Sequence, residues 1–212
     1  MIKEAMSGMD VSVLMGANVA NEVAKDDFCE STVGYTDASN GEVWQRLLDC
    51  PTFRVGKIND VAGVELCGAL KNVVALACGL VDGLKTIGTL GGDNLKAAIF
   101  SAGFKEGCIL LPLLGARAEV AFGPAGLGDL YVTSTSPFGR NRSMGEKLGT
   151  GKTLEEALEE MTMVAEGVRA ARMFRDRAID QGIEIPFTKA LNTLLDGDIE
   201  AEECCRRMVL LG

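Results

Sequence analysis

The sequence predicts an α/β segment that is the remnant of a larger sheet domain, followed by an all-α domain. Two observations lead to this fold class. Short strand-like runs rich in valine alternate with short helical stretches up to residue 58. Beyond Asp60, apolar residues recur at helical spacing over long stretches. We therefore expect two domains, 1–58 and 59–212.

The α/β segment contains too few elements for an independent parallel sheet. Its strands are expected at 11–15, 28–35 and 53–55, the first of them buried, and its short helices at 17–24 and 42–48. Doubly wound sheets usually have more strands than this. We therefore expect the first domain to lack an N-terminal part.

The second domain is expected to be a set of helices with one loop-rich stretch at 121–139, where glycine and proline cluster. Asp93 is a candidate N-cap, and Pro112 stands where a long helix would kink or end. Thr153 and Glu156 have the spacing of a capping box. The expected helices share apolar residues at helical spacing and lie at 61–84, 93–114, 167–181 and 199–210, with one more after Thr153.

The composition excludes several classes of function. Lys and Arg total 21 against 30 Asp and Glu, and this net charge of −9 disfavours nonspecific binding to nucleic acid or to anionic membranes. No charge-free run approaches the about 20 residues of a spanning helix, and the first residues lack the apolar core of a signal peptide. We expect a cytoplasmic protein without nucleic-acid or membrane partners, and an upstream targeting peptide stays open.

The chain contains no histidine, which limits its chemistry. Ser-His-Asp triads, Cys-His dyads and His-dependent zinc sites are excluded, so no metal site is expected and proton transfer must use Lys, Asp, Glu, Tyr or Cys. The seven cysteines show no CxxC spacing, and Cys67, Cys78 and Cys108 lie in apolar helical patterns. We expect buried, reduced thiols and a reducing compartment.

Four segments carry candidate functional residues, and each has a structural alternative. Lys71 and Asn72 lie among small apolar residues. A lysine in such surroundings either snorkels to the surface or is desolvated, and desolvation lowers the pKa of an ammonium toward neutrality. Asp129 follows a Gly-Leu-Gly turn and by itself predicts a helix N-cap or an Asx-turn. Glu166 by itself is a favourable first-turn carboxylate.

Two arginines bracket an amide in the run Gly-Arg-Asn-Arg at 139–142. Arg140 and Arg142 offer planar forks that match phosphate or carboxylate oxygens, and Asn141 adds a donor. The alternative is a solvated helix start. Because cations are unfavourable at a helix N-terminus, a bound anion would complete the site.

A dinucleotide-binding loop is absent from the sequence. The fingerprint G-x-G-x-x-G needs a third glycine, but Tyr131 stands at that position after Gly126 and Gly128. The glycines at 88–92 have the wrong spacing and join two expected helices.

Taken together, several segments resemble NAD-dependent glycerol-3-phosphate dehydrogenase in order and spacing. They lie at 13–24, 63–73, 91–98, 126–130 and 139–142. Ala-Leu-Lys-Asn at 69–72 and Gly-Arg-Asn-Arg are specific in combination, and the resemblance covers most of the chain. It implies that 1–58 is the tail of a dinucleotide-binding Rossmann domain. It also implies that 59–212 is a helical substrate-binding and catalytic domain like that of 6-phosphogluconate dehydrogenase.

The resemblance further implies a homodimer that reversibly reduces dihydroxyacetone phosphate with NADH to sn-glycerol 3-phosphate. By motif, Lys71 resembles the general acid/base, which would protonate the carbonyl oxygen and stabilise the developing alkoxide. The residues implied to bind substrate are Asn72, Asp129, Thr133, Arg140 and Asn141, and those implied to approach the cofactor are Arg140, Val164 and Glu166.

The sequence departs from the family pattern at the cofactor. The glycine-rich pyrophosphate loop and a second, upstream lysine of the family are missing from these residues. We expect the chain by itself to bind NAD poorly and to be inactive. NAD and NADP both stay open, because the residues that read the ribose 2′ position lie upstream.

Two other interpretations stay open. A related hydroxyacid-type dehydrogenase would share the two-domain plan and the lysine but act on a substrate without phosphate. Phosphate and glycerol 3-phosphate would then fail to stabilise the protein against heat. A non-catalytic dimerisation module would keep every measurable property after Lys71→Ala.

Overall fold

The computed structural model describes residues 8–137, 139–161 and 165–211. The strands are β1 (Val13–Ala17), β2 (Cys29–Gly34) and β3 (Phe53–Ile58). The helices are α1 (Ala20–Val23), α2 (Ala38–Leu48), α3 (Val61–Thr86), α4 (Asp93–Leu113), α5 (Asp129–Thr135), α6 (Arg140–Gly149), α7 (Leu154–Glu159), α8 (Glu166–Gln181), α9 (Pro186–Leu195) and α10 (Ala201–Leu211).

The chain forms two compact units. The first contains the chain up to Gly68 together with Cys108–Val132, and the second contains Ala69–Gly107 together with the chain from Thr133 onward. Helices α3, α4 and α5 each contribute residues to both units. This is a division by packing, and the domain boundary expected at residue 58 stays a prediction.

The first unit is built on a mixed sheet in the order β1-β2-β3. β1 pairs antiparallel with β2, and β2 pairs parallel with β3. The prediction of a buried strand at 11–15 is wrong in two respects. β1 begins at Val13, and it lies at the edge of the sheet with Leu14 exposed. An apolar run predicts a strand, but it does not reveal how many neighbours the strand has.

Caps and strand pairing set the bounds of the remaining elements of the first unit. α2 begins earlier than expected, because the Asp37 carboxylate accepts the Ser39 N–H at 2.8 Å and caps the helix. β3 is longer than expected, because its pairing with β2 continues to Ile58. α1 is shorter than expected.

Helix ends in the rest of the chain agree with the sequence more closely. The capping box is confirmed, since Thr153 Oγ1 accepts the Glu156 N–H and the Glu156 carboxylate accepts the Thr153 N–H. Asp93 is the first residue of α4 rather than its cap. The helix ends at Leu113, directly after Pro112, as a proline stop predicts.

The loop expected at 121–139 is largely helical. A 3₁₀ turn at Ala118–Phe122 leads into a π-helical turn at Pro124–Gly128, and α5 follows at once. Gly126 serves close packing rather than flexibility, because a Cβ there would collide with the carbonyl of Ala121. A glycine required for close approach looks the same in the sequence as a glycine in a loop.

Helix α9 in the second unit was not expected from the sequence, although Pro186 at its first position is a helix-start signal. Its N-terminus is held by Glu106 of α4. The Glu106 carboxylate accepts the Phe187 N–H at 2.7 Å, the Thr188 N–H at 2.9 Å and the Thr188 hydroxyl at 2.6 Å. Burial raises the pKa of the Glu106 carboxyl, against the opposite effect of these hydrogen bonds.

Helices α3 and α6 cross with their backbones in contact. Gly79 and Gly83 of α3 meet Gly145 and Gly149 of α6, and a Cβ on any of the four would collide with backbone atoms of the other helix. On both helices the glycines are four residues apart and so share a face. The crossing seats the first turn of α6 on α3.

Helix α3 is the core helix of the second unit over Val73–Val81, which is buried throughout. By length and composition alone, α3 could cross a membrane. However, 78% of its most apolar window is buried inside the protein. Core helices pass the same test of length and hydropathy, so this is weak support for a membrane span.

Two of the three cysteines that were expected to be buried are buried. All seven cysteines are free. Cys67 and Cys78 are buried, and burial raises the pKa of Cys67 to about 12 and that of Cys78 to about 11. Cys108 is only half-buried.

Candidate active site

Lys71 and Asn72 lie at the start of the buried stretch of α3. The Lys71 side chain is half-buried and that of Asn72 is buried. The Asn72 amide is held from two sides: its Oδ1 accepts from Asn141 Nδ2 at 2.8 Å, and its Nδ2 donates to Glu166 Oε2 at 3.4 Å. The residue beside the lysine is therefore tied to the first residues of both α6 and α8.

A second bond completes an arrangement that we call the amide clasp, formed by Asn72, Asn141 and Gly167. Asn141 Oδ1 accepts the Gly167 N–H at 2.8 Å. A Cβ on Gly167 would lie 2.6 Å from the Asn72 carbonyl oxygen, so only glycine allows α8 to approach α3 this closely. The clasp joins α3, α6 and α8 within the second unit.

The clasp uses both amide oxygens of the two asparagines. A primary amide has two N–H donors, and each asparagine donates one of them within the arrangement. One further N–H on each side chain could reach a substrate oxygen. The substrate contacts expected of Asn72 and Asn141 stay predictions, and the structure adds a positioning task that the sequence did not suggest.

The two arginines of the Gly-Arg-Asn-Arg run lie in different surroundings. Arg142 Nε donates to Asp82 Oδ2 at 2.6 Å, and its guanidinium also donates to the Ser136 carbonyl at 3.4 Å. Arg140 is exposed and has no hydrogen bond or ion pair among the residues that the structure describes. Of the two, Arg140 is thus the guanidinium that could receive an anion at the N-terminus of α6.

Asp82 of α3 is the centre of a cluster that sequence reasoning missed. Its two oxygens both accept from Lys96 of α4 at 2.8 Å, in addition to the bond from Arg142. All three side chains are less than a quarter exposed. No local pattern marks Asp82, because its partners are distant in the sequence.

The remaining predicted residues are divided between the units. Asp129 is the buried first residue of α5 and belongs to the first unit. There it helps raise the pKa of the Cys67 thiol, although burial is the larger cause. Thr133 is half-buried and belongs to the second unit, and the Glu166 backbone starts α8. Val164 lies outside the described residues.

Within the described part of the chain, no group of three or more Cys, Asp or Glu side chains could hold a metal ion. The chemistry that this arrangement supports is that of an ammonium, carboxylates and amides. A half-buried ammonium beside fixed amides can donate a proton and stabilise a developing negative charge on oxygen.

Comparisons with known proteins agree over most of the chain. The family described as NAD-dependent glycerol-3-phosphate dehydrogenase N-terminus matches residues 1–41, and the one described as its C-terminus matches residues 60–206. A curated relative, the glycerol-3-phosphate dehydrogenase (NAD(P)+) of Caulobacter vibrioides, is 40% identical over 199 residues, which are 94% of this chain and 59% of that protein. That of Moorella thermoacetica is 41% identical over 189 residues, with 89% and 55% covered.

Solved structures give the same result. The crystal structure of glycerol-3-phosphate dehydrogenase from Coxiella burnetii superposes with a TM-score of 0.89 at 30% identity, covering 99% of this chain and 63% of that one. The Saccharomyces cerevisiae enzyme has a TM-score of 0.84 at 30% identity, with 98% and 61% covered. The chain thus spans less than two thirds of the length of these proteins. The fold class expected from the sequence is confirmed.

Proposed function

The chain belongs to the NAD-dependent glycerol-3-phosphate dehydrogenase family, and from this premise we propose that its protein reversibly reduces dihydroxyacetone phosphate with NADH to sn-glycerol 3-phosphate. Residues 59–212 form the helical substrate domain in this proposal, and residues 1–58 are the tail of the Rossmann domain. The names of the relatives support either NAD or NADP as cofactor.

One observation carries the proposal. The hydrogen bond from Asn141 to Asn72 joins the neighbour of Lys71 to the neighbour of Arg140. A proton donor and an anion-binding guanidinium are thereby held on a common framework within one unit. Reduction of a phosphorylated ketone needs these two groups at opposite ends of the substrate.

Lys71 acts as the general acid in this mechanism. When a hydride reaches the carbonyl carbon, the carbonyl oxygen would gain the electron pair and the Lys71 ammonium would donate its proton to that oxygen. In the reverse direction the neutral amine accepts the hydroxyl proton. The positive charge also stabilises the oxygen before the proton moves, which lowers the barrier most where water is excluded.

Arg140 binds the phosphate at the other end. Its guanidinium offers a bidentate fork, and the N-terminus of α6 adds the positive end of the helix dipole. Asn141 contributes its remaining amide N–H to the phosphate, and Asn72 contributes its own to a hydroxyl oxygen. Thr133 adds a hydroxyl contact, and Asp129 is a further proposed substrate-binding residue.

The residues present fit the cofactor only in part. NADH supplies the hydride when it is bound. Arg140 is an exposed cation suited to a cofactor phosphate, and Glu166 and Val164 are proposed to approach the cofactor from the start of α8. The pyrophosphate loop is not part of this sequence, so we expect these residues by themselves to bind NADH poorly and to be inactive.

We also propose that the protein is a homodimer and that it works in the cytoplasm. The family membership supports both statements. Sedimentation of the purified protein and fractionation of cells would test them.

The experiment that tests the activity measures NADH oxidation with dihydroxyacetone phosphate, using the gene product over its whole length. Lys71→Met should lower kcat by about a thousandfold, since a general acid and its charge are both lost. Lys85→Met is the matched control, because Lys85 is an exposed lysine in the last turn of the same helix. It should leave kcat unchanged.

Other outcomes separate the alternatives. Activity on hydroxyacids without phosphate, together with no thermal stabilisation by glycerol 3-phosphate, would identify a hydroxyacid-type dehydrogenase. No turnover of either substrate class, with Lys71→Met unchanged in every property, would identify a non-catalytic module.

A further inference from the structure

The Asp82 cluster, formed by Asp82, Arg142 and Lys96, has no part in the chemistry proposed above. It lies on three helices, because Asp82 belongs to α3, Lys96 to α4 and Arg142 to α6. We infer that Asp82 is a positioning residue for the phosphate end of the substrate. It holds Arg142 off the substrate and orients the first turn of α6, so that Arg140 rather than Arg142 binds the phosphate. The inference rests on the proposed function.

Arg142 is restrained at three points. Its Nε is bound to Asp82, its guanidinium bonds the Ser136 carbonyl, and its own carbonyl lies against Gly79 of α3. The Arg142 side chain is therefore directed toward Asp82 and Ser136. The backbone of Arg142 is restrained as well, because its carbonyl lies against Gly79. The turn that carries Arg140 and Asn141 therefore has a fixed orientation.

Helix geometry separates the two arginines. Residues two apart on an α-helix point to different sides and do not face one ligand together. With Arg142 directed to Asp82, Arg140 is directed elsewhere, and its exposed guanidinium lacks a partner among the described residues. The three polar residues of the run Gly-Arg-Asn-Arg therefore have different roles. Arg140 contacts the anion, Asn141 belongs to the amide clasp, and Arg142 anchors the turn to Asp82.

The charges are consistent with a phosphate ligand. Arg140, Arg142 and Lys96 are cations, and Asp82 is the one anion that pairs with two of them. Arg140 is the cation of this group that has no ion pair among the described residues, and it lies at the positive end of α6, where a phosphate dianion is favourable. The pairing also makes a half-buried arginine tolerable, since an unpaired charge there would be costly.

A purely structural tie would have the same contacts, so the test must distinguish the two roles. A positioning role acts on the phosphate end alone. Its loss should lower kcat/KM for dihydroxyacetone phosphate and spare kcat/KM for dihydroxyacetone, which lacks the phosphate and has nothing for Arg140 to bind. A structural tie would lower both values by the same factor.

The variants are Asp82→Asn and Asp82→Glu, measured in the whole-length gene product. Asp82→Asn removes the charge at nearly constant shape, and we expect a loss of about tenfold to hundredfold in kcat/KM for the phosphorylated substrate, mostly as a higher KM. Asp82→Glu keeps the charge and should recover part of the loss. Glu202→Gln breaks the exposed ion pair with Arg206 and is the control. It should leave kcat/KM unchanged for both substrates.

Each outcome either supports or overturns the inference. Equal losses for both substrates, or no loss at all, would overturn the inference while leaving the proposed function intact. If the unmodified protein does not reduce dihydroxyacetone phosphate, the proposed function itself fails. Should Asp82→Asn not fold, Arg142→Lys keeps the charge and loses the planar fork, and it must show the same selective loss.

Discussion

Two helix contacts in the second unit hold their helices by opposite means. Where α3 meets α6, four glycines let the backbones touch, and shape alone determines the fit. Where α4 meets α9, the buried Glu106 carboxylate caps the helix through three hydrogen bonds. The first contact tolerates no added atom and does not titrate. The second depends on the hydrogen bonds and the protonation state of a single carboxyl group.

Gly145→Ala should break the first contact and have the largest effect. In an isolated helix this change would stabilise by about 1 kcal/mol, but here the new Cβ would collide with the Leu76 carbonyl. We expect a net loss of about 3 kcal/mol or more in the free energy of unfolding. Urea unfolding measures it. Gly92→Ala, with nothing within 4 Å, is the control, and equal values for both variants would contradict the account.

Glu106→Ala should be the next most damaging change. It leaves the buried N–H groups of Phe187 and Thr188 and the Thr188 hydroxyl without their acceptor. The expected loss is about 2–3 kcal/mol of unfolding free energy. Glu106→Gln keeps one acceptor oxygen and the shape, so its loss should be smaller. A loss in Glu106→Gln as large as in Glu106→Ala would mean that charge alone holds α9.

The pH dependence of the unfolding free energy should differ between the two contacts. Burial raises the pKa of Glu106 above its ordinary 4.5, so the folded protein binds this proton more tightly than the unfolded chain does. The contribution of the protonated carboxyl is complete below pH 4.5 and is lost as the pH rises through the folded-state pKa. The difference in unfolding free energy between the unmodified protein and Glu106→Gln should therefore fall across that window. The difference for Gly145→Ala should stay constant. A rise for Glu106→Gln would show that the hydrogen bonds outweigh burial.

Glu160→Gln should have the smallest effect. Glu160 pairs with Lys147 at the C-terminal end of α6 and with Lys152, and these hydrogen bonds lower its pKa to about 2. Its contribution is present above pH 4.5 and is lost as the pH falls toward 2. Because the carboxylate is exposed, screening reduces the effect. Melting curves should show a small shift in Tm that disappears in about 1 M salt. A shift that persists in salt would indicate packing instead.

Part of the site could be predicted from the sequence, because some signals are local. Lys71 and Arg140 were found from residue type and neighbours, and the resemblance added their roles. The Asn72–Asn141 hydrogen bond joins residues far apart in the chain, so no local sequence pattern predicts it. Asp82 was missed for the same reason, and Arg140 and Arg142 looked equivalent until their partners were visible.

By itself, the sequence determined the fold class, the capping box at Thr153, the absence of imidazole chemistry and the family. The family follows from the resemblance of several segments to known proteins, and the rest follows from residue type, spacing and periodicity, which act over a few residues. Only the tertiary structure decided that β1 is an edge strand, that Gly126 packs against Ala121 rather than forming a flexible loop, and which arginine remains available. Those properties depend on which distant backbone or charge lies within a few ångström, and that is decided when the helices pack.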